Sequence, residues 1–124
     1  MPAPRNPNKP NSRAHRGTIG AKNAITDLPA EGCDLPIPPV PKGREWTSTQ
    51  RARWRELWRS PQATQWDDSA RGVVATLVIY ESMIFDDKAS AWVAQEARYA
   101  AESLGLTPKA MTSLGWRIVD KSAQ

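Results

Sequence analysis

The chain has 124 residues and a formal net charge of +4, with 17 Lys and Arg against 13 Asp and Glu, one His and one Cys. That length holds one modest domain, and the positive surplus points to an acidic partner, of which nucleic acid is the commonest. A lone cysteine, Cys33, excludes an intramolecular disulfide and fits a reducing compartment. With one histidine, His15, and no His/Cys cluster, no zinc ligand set exists and no cofactor is expected.

Composition divides the chain. Nine of the eleven prolines fall in the first 41 residues, while five of the six tryptophans follow Trp46. The expected division is a disordered basic, Pro-rich arm and linker over residues 1–43 and a helical oligomerisation and DNA-recognition domain over 44–124. A folded part of about 80 residues buries little more than about 60% of the surface its unfolded chain exposes, so association with further copies is expected from size alone. There is no run of about 18 apolar residues and no apolar h-region near Met1. The chain therefore reads as cytosolic, with no membrane partner.

From residue 1 to 22 there are five cations, Arg5, Lys9, Arg13, Arg16 and Lys22, and no acid. Pro, Asn and Gly separate them, and too few apolar residues are present to offset the entropy of ordering. This reads as a cationic arm for phosphate contact, each neutralised phosphate adding salt-sensitive affinity; the rival reading is a solubilising tail. Beyond it, Asp27, Glu31 and Asp34 precede Leu35-Pro-Ile-Pro-Pro-Val-Pro41. That run is expected to be extended, polyproline-type chain, a semi-rigid spacer with enough apolar side chains to be able to lie across an apolar groove. It also contains Pro-x-x-Pro spacings, the signature of an adaptor ligand.

The first helix is expected to begin near Trp46, with Thr47 or Ser48 as N-cap and Gln50 three residues after Thr47 completing a capping box, and to stop at Ser60-Pro61. Trp54, Leu57 and Trp58 share one face, and Arg51, Arg55 and Arg59 recur every fourth residue on another. Guanidinium groups in such a row can track a phosphate backbone, and Lys42 and Arg44 extend the patch. The competing reading is a solvated helix face.

A second helix is expected to start at Ser60 and Pro61, with Trp66, Ala70, Val73, Leu77, Tyr80 and Ile84 in one helical stripe. From 73 to 80 it is apolar nearly all round. The β-branched run also permits a strand, but the stripe extends in register on both sides and favours helix. A third helix is expected from Lys88 to Leu104, capped by Asp87 and antiparallel to the second. Because a small domain cannot easily bury an all-round apolar helix, Trp66, Val73, Val74, Leu77, Val78, Tyr80 and Trp92 are expected at contacts between copies.

Residues 97–116 then spell a helix, a tight turn at Gly105 and a short second helix opened by Thr107 and Pro108. As a helix-turn-helix this unit would point Lys109, Thr112 and Ser113 outward, as recognition residues point into a major groove. Gly115 ends its second helix early, and residues 116–119 follow as an extended or apolar tail.

Three features together resemble the small terminase subunits of tailed phages. They are the Trp-Arg-Glu-Leu-Trp-Arg-Ser-Pro segment at 54–61, the apolar helical hairpin, and Leu104-Gly-Leu-Thr-Pro-Lys109. After Pro-Lys the chain has Ala110-Met111, where many family members carry Ser-Arg. The resemblance implies a ring-forming factor that binds viral DNA in the host cytoplasm and presents it to a large subunit carrying the ATPase and nuclease.

The expected fold is all-α, a helical hairpin core with flanking short helices and a disordered arm, assembled as a ring-type homo-oligomer. The expected protein is no enzyme and takes no small-molecule substrate. Its expected partners are DNA, the large terminase subunit and itself, with Lys42, Arg44, Arg51, Arg55, Arg59, Arg13, Arg16 and Lys109 on DNA. The alternatives are a helix-turn-helix transcription regulator and a non-enzymatic adaptor or structural protein.

Overall fold

A computed structural model of the chain describes residues 24–120. In chain order it contains β1 (Thr26–Pro29), α1 (Ser48–Trp58), α2 (Arg71–Phe85), α3 (Ala91–Ser103), α4 (Pro108–Leu114) and β2 (Trp116–Val119), with two short 3₁₀ segments, Pro61–Gln65 and Asp68–Ala70, ahead of α2.

Local chemistry sets the ends of α1. Thr47 accepts from the Gln50 amide at 3.0 Å, and the Gln50 side chain accepts from the Thr47 amide at 3.0 Å, satisfying two of the amides that a helix start leaves unpaired. Gln50 is itself buried, and its side-chain amide donates to Ser82 Oγ of α2 at 3.0 Å.

The second helix is shorter than its apolar stripe predicts. After Pro61–Gln65 the chain turns extended at Trp66, ψ 149°. Asp67 then accepts from the Ser69 amide at 2.9 Å and restarts the chain. The break has a packing reason: it carries the Trp66 indole inward, where Nε1 donates to Leu104 O at 2.9 Å and the ring meets Trp58 edge-on at 5.2 Å. The start of α3 is corrected as well. Ser90 is the cap, accepting from the Val93 amide, while Asp87 sits in the preceding turn at φ 58°.

α2 is the central element, flanked by α1 on one side and α3 on the other. That arrangement accounts for its all-round apolar composition within a single chain: Val74, Leu77 and Val78 are almost wholly buried by the chain's own helices. At the end of α3, Gly105 takes φ 74°, and a Cβ there would collide with the Trp116 ring. The turn thus needs glycine for conformation and for space. Thr107 caps α4 through the Ala110 amide at 3.1 Å, with Pro108 at its first position.

Two features depart from an all-α fold with a boundary at residue 43. The tail after α4 is a strand: β2 pairs in parallel with β1, in register Thr26↔Trp116 through Pro29↔Val119, and Arg117 pairs with Asp27 at 2.9 Å. Residues 33–41 are likewise part of the fold. They run as a strap antiparallel to α1, with Arg59 Nη1 donating to Cys33 O and Leu35 O (3.1 and 2.7 Å), Trp54 Nε1 to Pro38 O (2.7 Å) and Trp46 Nε1 to Pro41 O (2.9 Å). At about 3.1 Å per residue a polyproline-type chain from 35 to 41 covers roughly 19 Å, and residues 46 to 59 at about 1.5 Å per helical residue rise by nearly the same length. Proline lacks an amide donor, so the strap's carbonyls are what such a chain offers, and indole N–H groups take them.

Candidate nucleic-acid interface

α1 and its C-cap carry four arginines, Arg51, Arg53, Arg55 and Arg59, and the packing of the helix divides them. One face carries Trp54, Leu57 and Trp58 into the core, where Trp46, Trp54, Trp58 and Trp66 form a continuous series of ring contacts at 6.5, 5.7 and 5.2 Å. With that face fixed inward and the strap lying along it, the remaining positions have determined surroundings.

Arg51 and Arg55 are exposed, one turn apart, and make no ion pair or side-chain hydrogen bond among the described residues. Arg59 does not complete their row as a free cation. It is the C-cap of α1, and its Nη1 is committed to the two strap carbonyls. The physical reason is its position at the helix end, where the strap begins and the Cys33 amide donates to Arg59 O at 3.0 Å.

Lys42 and Arg44 are exposed in the loop that leads into α1, and the Arg44 guanidinium lies 5.0 Å from the centroid of the Trp46 ring. That cation–π contact orients the side chain while leaving its charge available. Lys109 is exposed at the start of α4, beside Ser113 and Tyr99. It is the one cation on that helix, and the structure brings it to a different element from the α1 group. Arg13 and Arg16 lie outside the described residues.

Arg53, which helical spacing does not single out, makes the chief ionic link between α1 and α2. Its Nε and Nη2 donate to the Glu81 carboxylate at 2.8 and 3.1 Å, and Nη1 donates to Glu56. The hydrogen bond to Glu81 holds its guanidinium pKa above the ordinary value, against the opposing effect of partial burial, with the charges of Glu81 and Glu56 adding to the rise. No sequence signal points to this clamp, because Glu81 is 28 residues away and reaches Arg53 only through helix packing.

Of the residues expected between copies, Trp66, Val74, Leu77 and Val78 are buried within the chain, and Val73 and Tyr80 are half-buried. The chain's own packing takes up the first four, while Val73 and Tyr80 keep part of their surface. Trp92 alone of that set is well exposed, at 59%.

A family model described as phage terminase small subunit matches residues 2–123, nearly the whole chain. The chain belongs to that family. Viral DNA packaging follows from membership, which implies association of small terminase subunits with DNA and with the large subunit. No curated protein and no solved structure matches the chain. Among the described residues, no helix of this small terminase subunit is long and apolar enough to cross a membrane.

Proposed function

We propose that this small terminase subunit binds viral DNA in the host cytoplasm, recruits it to the large ATPase/nuclease subunit, and acts as a homo-oligomer without catalytic activity of its own. The observation that carries the DNA-binding reading is the pair Arg51 and Arg55, exposed one turn apart without counter-ions among the described residues, continued by Lys42 and Arg44. Guanidinium groups so placed pair with successive phosphates at little cost, because no internal ion pair must first be broken. Arg13 and Arg16 on the N-terminal arm add further phosphate contacts, and Lys109 adds one from α4.

Base reading by α4 has less support. The helix-turn-helix is present as α3, the Gly105 turn and α4, but α4 has seven residues and a single cation. The adaptor reading loses its ligand, since the Pro-rich run presents carbonyls to the chain's own indoles.

Binding to duplex DNA across a salt series tests the proposal. Every phosphate that a variant no longer neutralises lowers the slope of log K against log salt by about 0.9, so Arg51→Ala with Arg55→Ala should flatten it by about two. An unchanged slope would make the pair a solvated face.

A further inference from the structure

The Pro-rich strap lies against α1 as a peptide ligand would, in a groove of indoles that read its carbonyls. Trp46 donates to Pro41 O and Trp54 to Pro38 O. Three residues make one turn of a polyproline-type chain, so carbonyls at that step point to the same side. The next carbonyl in the series is that of Leu35, and it goes to Arg59 instead. The indole at that end, Trp58, is left with its Nε1 enclosed and without an acceptor among the described residues.

The tether of the strap accounts for the mismatch. Its first residues are pinned over the end of α1: the Cys33 amide donates to Arg59 O, and Gly32, at φ 92°, packs so closely that a Cβ there would collide with the same oxygen. Beneath this end of the strap lies a cavity of about 390 Å³, lined by Leu35, Ile37, Trp58, Ala63 and Asp68 among others. Charge is mismatched there as well. Acids line the cavity from the core side, and between Cys33 and Leu35 the strap contributes Asp34, a further acid.

We infer that the indole groove of α1 is a docking site for a proline-rich segment of another protein, and that the strap occupies it in the free chain. The segment has Pro-x-x-Pro spacing, so that its carbonyls recur every three residues along Trp46, Trp54 and Trp58. It carries Arg or Lys in the place of Asp34, at the end that Asp68 lines. A chain free of the Gly32 tether can set its third carbonyl on Trp58 Nε1, and pairing a buried donor that was left without a partner is a net gain. A cation in the place of Asp34 exchanges like charge for opposite charge at the rim. Aromatic grooves take such segments because a polyproline-type chain is already extended and loses little freedom on docking.

Against the incoming segment stands the covalent connection of the strap, which holds it at the groove at an effective concentration of the order of millimolar. The strap is thus an inhibitor in cis. It excludes weak ligands and yields to one that also fills the third position. This reading is separate from the DNA contacts, since Arg51 and Arg55 are exposed on α1 away from the strap.

The indole N–H signals of the full chain in solution NMR test the inference. The probes are two synthetic peptides, one copying residues 34–41 and the other copying them with Asp34→Arg. The Arg peptide should shift the Trp58 indole signal and bind about tenfold more tightly than its Asp counterpart. Gly32→Ala loosens the tether and should tighten the Arg peptide by about the same factor. Asp34→Arg in the full chain should instead strengthen the strap and weaken the peptide. That exposed substitution leaves the core intact, so it and the wild type decide the matter if Gly32→Ala unfolds. A Trp58 signal that ignores millimolar Arg peptide in the wild type overturns the inference, as does equal binding by a peptide with alanine for every proline. Dimers of Gly32→Ala that bind no peptide would assign the groove to the strap of a second copy and overturn it too.

Discussion

Two faces of α1 put the same residue type to opposite uses. On the face toward the strap and α2, Arg59 and Arg53 are held by carbonyls and carboxylates of the chain itself. On the face toward solvent, Arg51 and Arg55 meet no partner among the described residues. An arginine fixed by internal hydrogen bonds contributes to the fold and must give up those bonds to serve a ligand. One without a partner contributes almost nothing to stability and is available for phosphate. The separation also explains why a small domain keeps unneutralised charge on its surface: the fold does not depend on it.

That contrast can be broken in graded steps. The largest effect should come from the strap face, where Trp54→Ala removes a fully buried indole, two ring contacts and the bond to Pro38 O. Loss of about 3–5 kcal/mol is expected in denaturant unfolding, and a value near zero would mean that the strap and indole series are not part of the folded state. Arg59→Ala comes next. Losing charged donors to two carbonyls should cost about 1–2 kcal/mol, discounted because the side chain is largely in water. Its DNA salt slope should stay close to wild type, and a drop as large as that of Arg55→Ala would return Arg59 to the phosphate row.

Thr47→Ala, at the helix start shared by both faces, should cost about 1 kcal/mol by removing the capping box, with no change in salt slope. The smallest stability effect belongs to Arg51→Ala with Arg55→Ala, within about 0.5 kcal/mol of wild type. The same double variant should show the largest change in DNA binding. If it proves destabilising by about 2 kcal/mol or more, far outside the usual range for surface substitutions, the two faces are not energetically separate.

Legibility from sequence followed the distance over which each interaction acts. The capping box at Thr47 and Gln50, the left-handed turn at Gly105, and the cap and proline at Thr107 and Pro108 all stand where their spacing puts them. Each is decided within three or four residues, by which side-chain oxygen can reach which amide. The break at Trp66 and Asp67 was hidden because an apolar stripe in helical register carries straight across it. What overrode the stripe was a buried bond from Trp66 to Leu104 O, 38 residues away. For the candidate site, sequence placed Arg51 and Arg55 on one face but could not separate them from Arg59, nor mark Arg53 as bound.

The sequence by itself determined the family, the caps that open α1 and α4, the turn at Gly105, and which residues of α1 could face a core. It did so because helix periodicity and capping are local, and because the motifs that carry the resemblance are short. Only the tertiary structure decided the parallel pairing of β1 with β2, 90 residues apart, the docking of the Pro-rich strap on the indoles, and the placing of α2 between two helices. Those last two choices settle which arginines are bound and which apolar side chains remain exposed. They depend on segments distant in the chain meeting in space, and residue spacing carries no information about that.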